Sequence, residues 1–182
     1  MKHYHYVIAT EFGFVGLFWE GADQPRLLRI ILAGKEEKVI ARACEGGIPI
    51  SPDQKEQLQV GRVEACLAGR GNEAFPDFSG RDLSEFQQRV LLECWRIPRG
   101  RVSSYGTLAA RAGCPDGARA VGGVMAANPL PLLIPCHRVV RSDGRLGDFG
   151  GGIEMKRTLL QREGIELDAA GRVPERYFLR VQ

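Results

Sequence analysis

No apolar run in the sequence approaches the ~18 residues that a membrane-spanning helix needs, so no such helix is expected. The opening residues Met1-Lys2-His3-Tyr4-His5 lack the apolar centre of a secretory leader, and the chain is expected in the cytoplasm, with no membrane contact. Histidine is scarce, at three residues, and the five cysteines at 44, 66, 94, 114 and 136 include no C-x-x-C pair. That excludes the familiar zinc spacings, and no metal is expected. No G-x-G-x-x-G follows a strand-like run. The glycine-rich Gly147-Asp148-Phe149-Gly150-Gly151-Gly152 is not followed by Gly-Lys-Ser/Thr. Neither a nucleotide nor a methyl-donor cofactor is therefore expected. Internal repeats are lacking as well.

What is present is enough for one ordinary domain or two small ones: 182 residues, 44% of them hydrophobic. The charge is unevenly spread. Residues 1–80 carry nine Lys/Arg against eleven Asp/Glu, whereas residues 81–182 carry sixteen against eleven. Fifteen of those sixteen are Arg, the better side chain for planar and phosphate contacts. A basic second half suits a polyanionic partner.

The β-branched and aromatic runs His5–Thr10, Phe14–Trp19 and Leu27–Leu32, punctuated by Gly13 and Gly21, predict an antiparallel meander. Helices are expected over 35–45 and from Pro52 to Ala68, the second ended by Gly69. The stretch from Gly69 to Gly80 reads as a linker. The fold class is thus α/β with two domains: residues 1–78, a small antiparallel sheet with helices, and residues 79–182, mostly helical with a winged-helix-like helix-turn-helix.

In the second domain, Leu83–Ile97 predicts a helix with Asp82 as N-cap and Glu85 three residues on. Ser104 caps a short helix, Tyr105 to Ala112. Another starts at Pro115-Asp116 and runs to Ala127, and the pair makes a helix-turn-helix outline. Ala118, Ala120, Gly122, Gly123, Ala126 and Ala127 leave that second helix little side chain. Two adjacent helical glycines cost about 1 kcal/mol each. Close approach would explain them, either to a neighbouring helix or to a nucleic-acid groove. Three prolines in Asn128–Cys136 predict a rigid, extended wall, His137–Val140 a short strand, Glu154–Glu163 a helix, and Tyr177–Val181 a last strand.

The chemistry centres on Pro135-Cys136-His137-Arg138-Val139. The thiolate is the reactive form of cysteine, so Cys136 needs a base and the base an orienting acid. His137 can be the base directly or through a water. Glu163 and Asp148 are both candidates for the acid. A cysteine enzyme without a cofactor does acyl transfer, as a peptidase does, or alkyl transfer onto sulfur.

Residues 83–164 resemble the O6-alkylguanine-DNA alkyltransferase family, the methylated-DNA–protein-cysteine methyltransferases. The resemblance is carried by Phe86-Gln87, Ile97-Pro98-x-Gly100, Val102-x-Ser104-Tyr105, Ala118-Arg119-Ala120-Val121-Gly122-Gly123 and Asn128-Pro129. It continues through Ile134–Val139, Gly150-Gly151-Gly152 and Lys156-x-x-Leu159-Leu160-x-x-Glu163-Gly164. About half the chain is covered.

The resemblance implies single-turnover transfer of an alkyl group from O6-alkylguanine in double-stranded DNA to Cys136, and leaves open whether O4-alkylthymine is a substrate as well. It implies that His137, through a water, and Glu163 make the thiolate, and that Asn128 holds the turn into the active-site strand. It places Tyr105 against the phosphate beside the lesion and Arg119 in the gap left by the flipped nucleotide. Ser104, Ala118, Gly122, Gly123 and Arg138 join the minor-groove interface, and Pro131, Val139, Phe149 and Gly150 the pocket. The protein would act as a monomer. The family commonly has tyrosine where this chain has Phe149. Two rival readings are a helix-turn-helix regulator, or lesion binder, with Cys136 as a sensor thiol, and a cysteine peptidase.

Overall fold

The computed structural model describes residues 2–21, 25–34, 36–51, 54, 58, 60–71, 74–78 and 81–179. The meander forms as expected: β1 (His3–Thr10), β2 (Gly13–Glu20) and β3 (Arg26–Gly34) pair antiparallel. Gly13 turns the first hairpin with φ 113°, and Thr10 donates from its hydroxyl to the Gly13 carbonyl at 2.9 Å. A fourth strand, β4 (Ile48–Pro49), adds parallel to β1, giving the order β3-β2-β1-β4. Strand alternation divides β2 between two layers. Val15, Leu17 and Trp19 enter the main core, while Gly16 and Phe18 face the other way. A Cβ on Gly16 would sit 2.8 Å from Ile40, so glycine lets helix α1 (Glu37–Cys44) lie close on the sheet.

Helix α2 (Val60–Leu67) closes the opposite face with Val60, Val63, Cys66 and Leu67. It ends as expected at Gly69, φ 73°. The helix was expected to begin at Pro52; of residues 52–59 all but Gln54 and Leu58 lie outside the described residues. The core around α2 also takes in Leu130, Leu132, Leu133, Met155 and Leu159, so the sheet is sealed by chain from the second half.

Helix α3 (Glu85–Trp95) starts two residues later than expected. Its N-cap is Ser84, not Asp82, and Gln87 completes a reciprocal capping box. Both registers offer a capping residue with an acid or amide three positions on. The Leu83 amide, bonded back to the Arg81 carbonyl, holds the chain in a turn past Asp82 and leaves Ser84 at the mouth. Helices α4 (Tyr105–Arg111) and α5 (Ala118–Ala126) pack as a pair on α3 around Val90, Leu91, Leu108, Val121 and Val124. Ser104 caps α4 as expected, accepting from the Thr107 amide at 3.0 Å.

The expected wall from Asn128 to Cys136 is not extended. Leu132 takes φ 75°, and the Ile134 amide reaches back to the Leu130 carbonyl at 2.9 Å. Three prolines fix φ only at their own positions and leave the leucines free to turn. The expected strand at His137–Val140 is a 3₁₀ turn, Cys136–Arg138, followed by the two-residue strand β6 (Val139–Val140) parallel to β5 (Ser103–Ser104). Helix α6 (Ile153–Arg162) buries Met155, Leu159 and Leu160 as expected and stops at Gly164, φ 87°. In the tail, Glu175–Tyr177 is a 3₁₀ turn rather than strand, with Phe178 bridging Val102. The remainder of that expected strand lies outside the described residues.

Candidate active site

The 3₁₀ turn solves the problem that adjacency poses. In a strand, Cys136 and His137 would point to opposite faces. In the turn, His137 goes inward to Glu163 at the end of α6, with Nε2 and Oε1 2.9 Å apart, and Cys136 lines a cleft of about 970 Å³. Asp148 is exposed and gives His137 nothing, so the choice of acid falls on Glu163. Arg138 embraces the same carboxylate, donating from Nε to Oε2 and from Nη2 to Oε1, each at 2.8 Å, and from Nη1 to the Ile97 carbonyl at 2.6 Å. That corrects the expected DNA contact at Arg138: its guanidinium is buried and spent on the relay.

Burial raises the Glu163 pKa, but His137 and Arg138 outweigh it and bring the group down to about 2. An ionised carboxylate only accepts, so His137 must carry its proton on Nε2. Nδ1 is then the lone-pair side, and it has no hydrogen-bond partner among the described residues. Burial also lowers the His137 pKa, against the pull of Glu163, which keeps the imidazole neutral and able to take a proton. Phe149 meets the His137 ring edge-on, with centroids 6.4 Å apart.

Burial raises the pKa of Cys136; the Asn128 amide and the Lys156 ammonium act the other way. The resting sulfur is therefore a thiol, and a base must act during reaction. Asn128 also holds the turn, donating to the Ile134 carbonyl at 3.1 Å and accepting from the Leu130 amide at 3.1 Å. Lys156 had no role assigned from sequence. It is fully buried, donates to the Val139 carbonyl at 2.7 Å, and is pushed by burial down to about 8. The motif Lys156-x-x-Leu159-Leu160 was the available signal: a lysine on the same helical face as two core leucines.

The cleft gathers Tyr105, Ala118, Arg119, Gly122, Asn128 and Pro131 with Cys136, and Phe149 and Gly150 close it. Val139 is fully buried and does not line it; its carbonyl is what the site uses. Ser104 is buried under its own cap, and Gly123 is exposed beside the cleft. Residues not singled out from sequence also line it: Ile30, Ile31 and Leu32 of β3, Met125 and Arg141. Burial raises the pKa of Tyr105, keeping the phenol a neutral donor at the mouth.

A Cβ on Gly122 or Gly123 would meet nothing within 4 Å, so packing against a neighbouring helix is not what calls for glycine there. Gly151 is the opposite case. Its Cβ would fall 2.3 Å from Met155 Sδ and 3.3 Å from Leu32 and Phe149. Gly151→Ala is expected to cost about 1–3 kcal/mol by overpacking, read as a lower midpoint in urea unfolding, whereas Gly123→Ala should not lower it.

Residues 85–165 match the family model for the DNA-binding domain of 6-O-methylguanine DNA methyltransferase. The crystal structure of Mycobacterium tuberculosis OGT in complex with DNA aligns at TM-score 0.67 and 32% identity, covering 88% of this chain and 93% of that one. The chain belongs to the methylated-DNA–protein-cysteine methyltransferase family. A second structure of a family member, M. tuberculosis O6-methylguanine methyltransferase, aligns at TM-score 0.69 and 30% identity over 95% of this chain and 96% of that one. The methylated-DNA–protein-cysteine methyltransferase of Methanothermobacter thermautotrophicus is 47% identical over 92 residues, 50% of each chain. The human one is 49% identical over 87 residues, 47% of this chain and 42% of that one. The chain thus spans about half the length of these curated family members. Its two-domain mixed α/β architecture is the family's.

Proposed function

We propose that this protein repairs DNA by moving the alkyl group of O6-alkylguanine onto Cys136, once per molecule. The observation that carries this is the buried relay: an acceptor-only carboxylate on His137 Nε2 leaves Nδ1 as the base for a thiol that opens onto the cleft. His137, through one water, takes the thiol proton as sulfur attacks the alkyl carbon. The C–O bond breaks, its electron pair stays with the guanine oxygen, and the proton passes to the base so released. The product is a thioether. It has no leaving group that this site can activate, so the cysteine is consumed.

The lesion reaches the sulfur by flipping out of the duplex, which costs a few kcal/mol. Arg119, exposed at the cleft edge on α5, fills the gap, and Tyr105 bears on the neighbouring phosphate. Ala118, Gly122 and Gly123 give α5 a surface low enough for the minor groove. We place the domain boundary between residues 78 and 79, in the stretch that separates α2 from α3. One chain supplies the whole site, so it works as a monomer. Five free cysteines suit the cytoplasm.

The test is intact mass after incubation with duplex DNA carrying O6-methylguanine. A gain of one CH₂ unit on the peptide containing Cys136, stoichiometric with repaired guanine, is expected. Tight binding to the duplex without mass gain would favour the regulator with a sensor thiol. Because Arg119 fills the stack and leaves the phosphate to Tyr105, Arg119→Ala should weaken binding to the lesion-bearing duplex while lowering the slope of log affinity against log salt by well under about one, as a salt titration of binding would show.

A further inference from the structure

Strand β3 belongs to the sheet of the first half, yet Ile30, Ile31 and Leu32 form part of the cleft that Cys136 opens onto. Nothing in the run Leu27–Leu32 itself marks a functional residue. Two features fix β3 in that position. The Ile30 amide donates to the Pro129 carbonyl at 2.8 Å, which ties the strand to the loop carrying Asn128 and Pro131. At the other end, a Cβ on Gly151 would come within 3.3 Å of both Leu32 and Phe149, so the three lie against one another. Phe149 in turn meets the His137 ring. The strand therefore spans from one flank of Cys136, at Pro131, to the other, at Phe149.

The strand is also irregular at this point. Val15 pairs with Leu32 and Phe14 with Gly34, so Ala33 is an extra residue in the ladder. The bulge falls between Leu32 and Gly34 and bends the strand just past the two residues at the cleft. Ile30 is buried in the core, while Ile31 and Leu32, consecutive residues, both keep partial exposure and both line the cleft. Ile31 and Leu32 pair with the consecutive residues Gly16 and Val15, so they alternate between faces, and both reach the cleft because β3 is the edge strand of the sheet.

We propose that β3 sets which O6 substituents the pocket admits, with Ile31 and Leu32 as the apolar wall against the transferred group. Resting on the alkyl transfer proposed above, this makes the first half of the chain a determinant of specificity and not a scaffold alone. The chemical class at stake is uncharged alkyl and aralkyl groups, since the wall offers no side-chain hydrogen-bond donor. A wall of this kind discriminates by volume, and one methylene of misfit is worth roughly 10–200-fold.

The experiment uses the full chain and two duplexes, one with O6-methylguanine and one with O6-benzylguanine, in single-turnover reactions followed by intact mass. The readout is the ratio of benzyl to methyl transfer rates within each variant, so a partly unfolded fraction cancels. Leu32→Ala should raise the ratio about tenfold and Ile31→Phe should lower it about tenfold. Leu32→Val replaces Leu32→Ala if the latter does not fold. Ratios within twofold of the unsubstituted protein in these variants would overturn the role of β3 while methyl transfer itself stands. Transfer of neither group by the unsubstituted protein would instead remove the transfer reading, and the wall with it.

Discussion

Replacing Glu163 with glutamine should lower the melting temperature by on the order of 10 °C and slow alkyl transfer at the same time. Three donors converge on this carboxylate: His137 Nε2 and two nitrogens of Arg138. Glu163 and Arg138 are both buried, with 4% and 6% of their surface exposed. Removing one partner of a buried pair leaves the other as an uncompensated charge, at about 3–5 kcal/mol. The depressed pKa gives a similar figure. A fall from 4.5 to about 2 corresponds to about 3 kcal/mol. For a chain of this length each kcal/mol moves the melting point by about 2–4 °C.

The sign with pH is fixed by the same shift. The folded pKa lies below the unfolded one, so this contribution is complete above about pH 4.5 and is lost as pH falls towards 2. Glu163→Gln should lack that acid limb, which differential scanning calorimetry between pH 2 and 6 would show. An unchanged melting point would mean that the network is dispensable. The effect on rate arises separately: an amide can turn its NH₂ towards His137 Nε2, which favours the tautomer with the proton on Nδ1, where it cannot act as base.

The second large effect is expected at Lys156, and there stability and reaction should part company. The ammonium is fully buried, and the displacement of its pKa from 10.5 to about 8 means that the fold bears about 3 kcal/mol to keep it charged at neutral pH. In this case the unfolded chain holds the proton more tightly. The cost is complete below pH 8 and fades as pH rises towards 10.5, so this group makes the protein more stable with rising pH in that window. Lys156→Met removes the cost, and it also removes the bond to the Val139 carbonyl, worth about 1–3 kcal/mol if that carbonyl is left unpaired. The melting temperature should hold or rise.

Transfer should nevertheless fall, roughly tenfold, because a buried cation that favours the Cys136 thiolate is gone. Titration of thiolate absorbance and the pH profile of the single-turnover rate should both move upward. A parallel loss of melting temperature and rate would show instead that Lys156 merely supports packing. Among the sixteen Lys/Arg of residues 81–182, Lys156 is the only lysine. Guanidinium stays charged under burial, whereas an ammonium responds to its surroundings, so arginine would not serve in its place.

How much of this could be read from the sequence depended on whether the determinant was local. The three-strand meander was legible because alternation and Gly13 act within a few residues. β4 was not, since Ile48–Pro49 becomes a strand only by lying beside β1. The cap of α3 was misplaced by two residues because Asp82-x-x-Glu85 and Ser84-x-x-Gln87 satisfy the same local rule. Cys136 and His137 were evident as a pair. The choice between Glu163 and Asp148 was not, because it turns on how α6 docks against the 3₁₀ turn. Arg138 shows the same limit: nothing in its neighbours says whether an arginine will face solvent or close on a carboxylate 25 residues away. The pocket residues of β3 were the least legible of all, since they come from the opposite half of the chain.

The bare surface of α5 carries one more implication. Glycines and alanines offer no side-chain donors or acceptors, and base edges are told apart only by such groups. Docked as proposed, these small residues would follow the shape of a duplex without spelling out its letters. Damage by alkylating agents arises in any surrounding text, and a protein with the proposed role gains by being indifferent to what that text says.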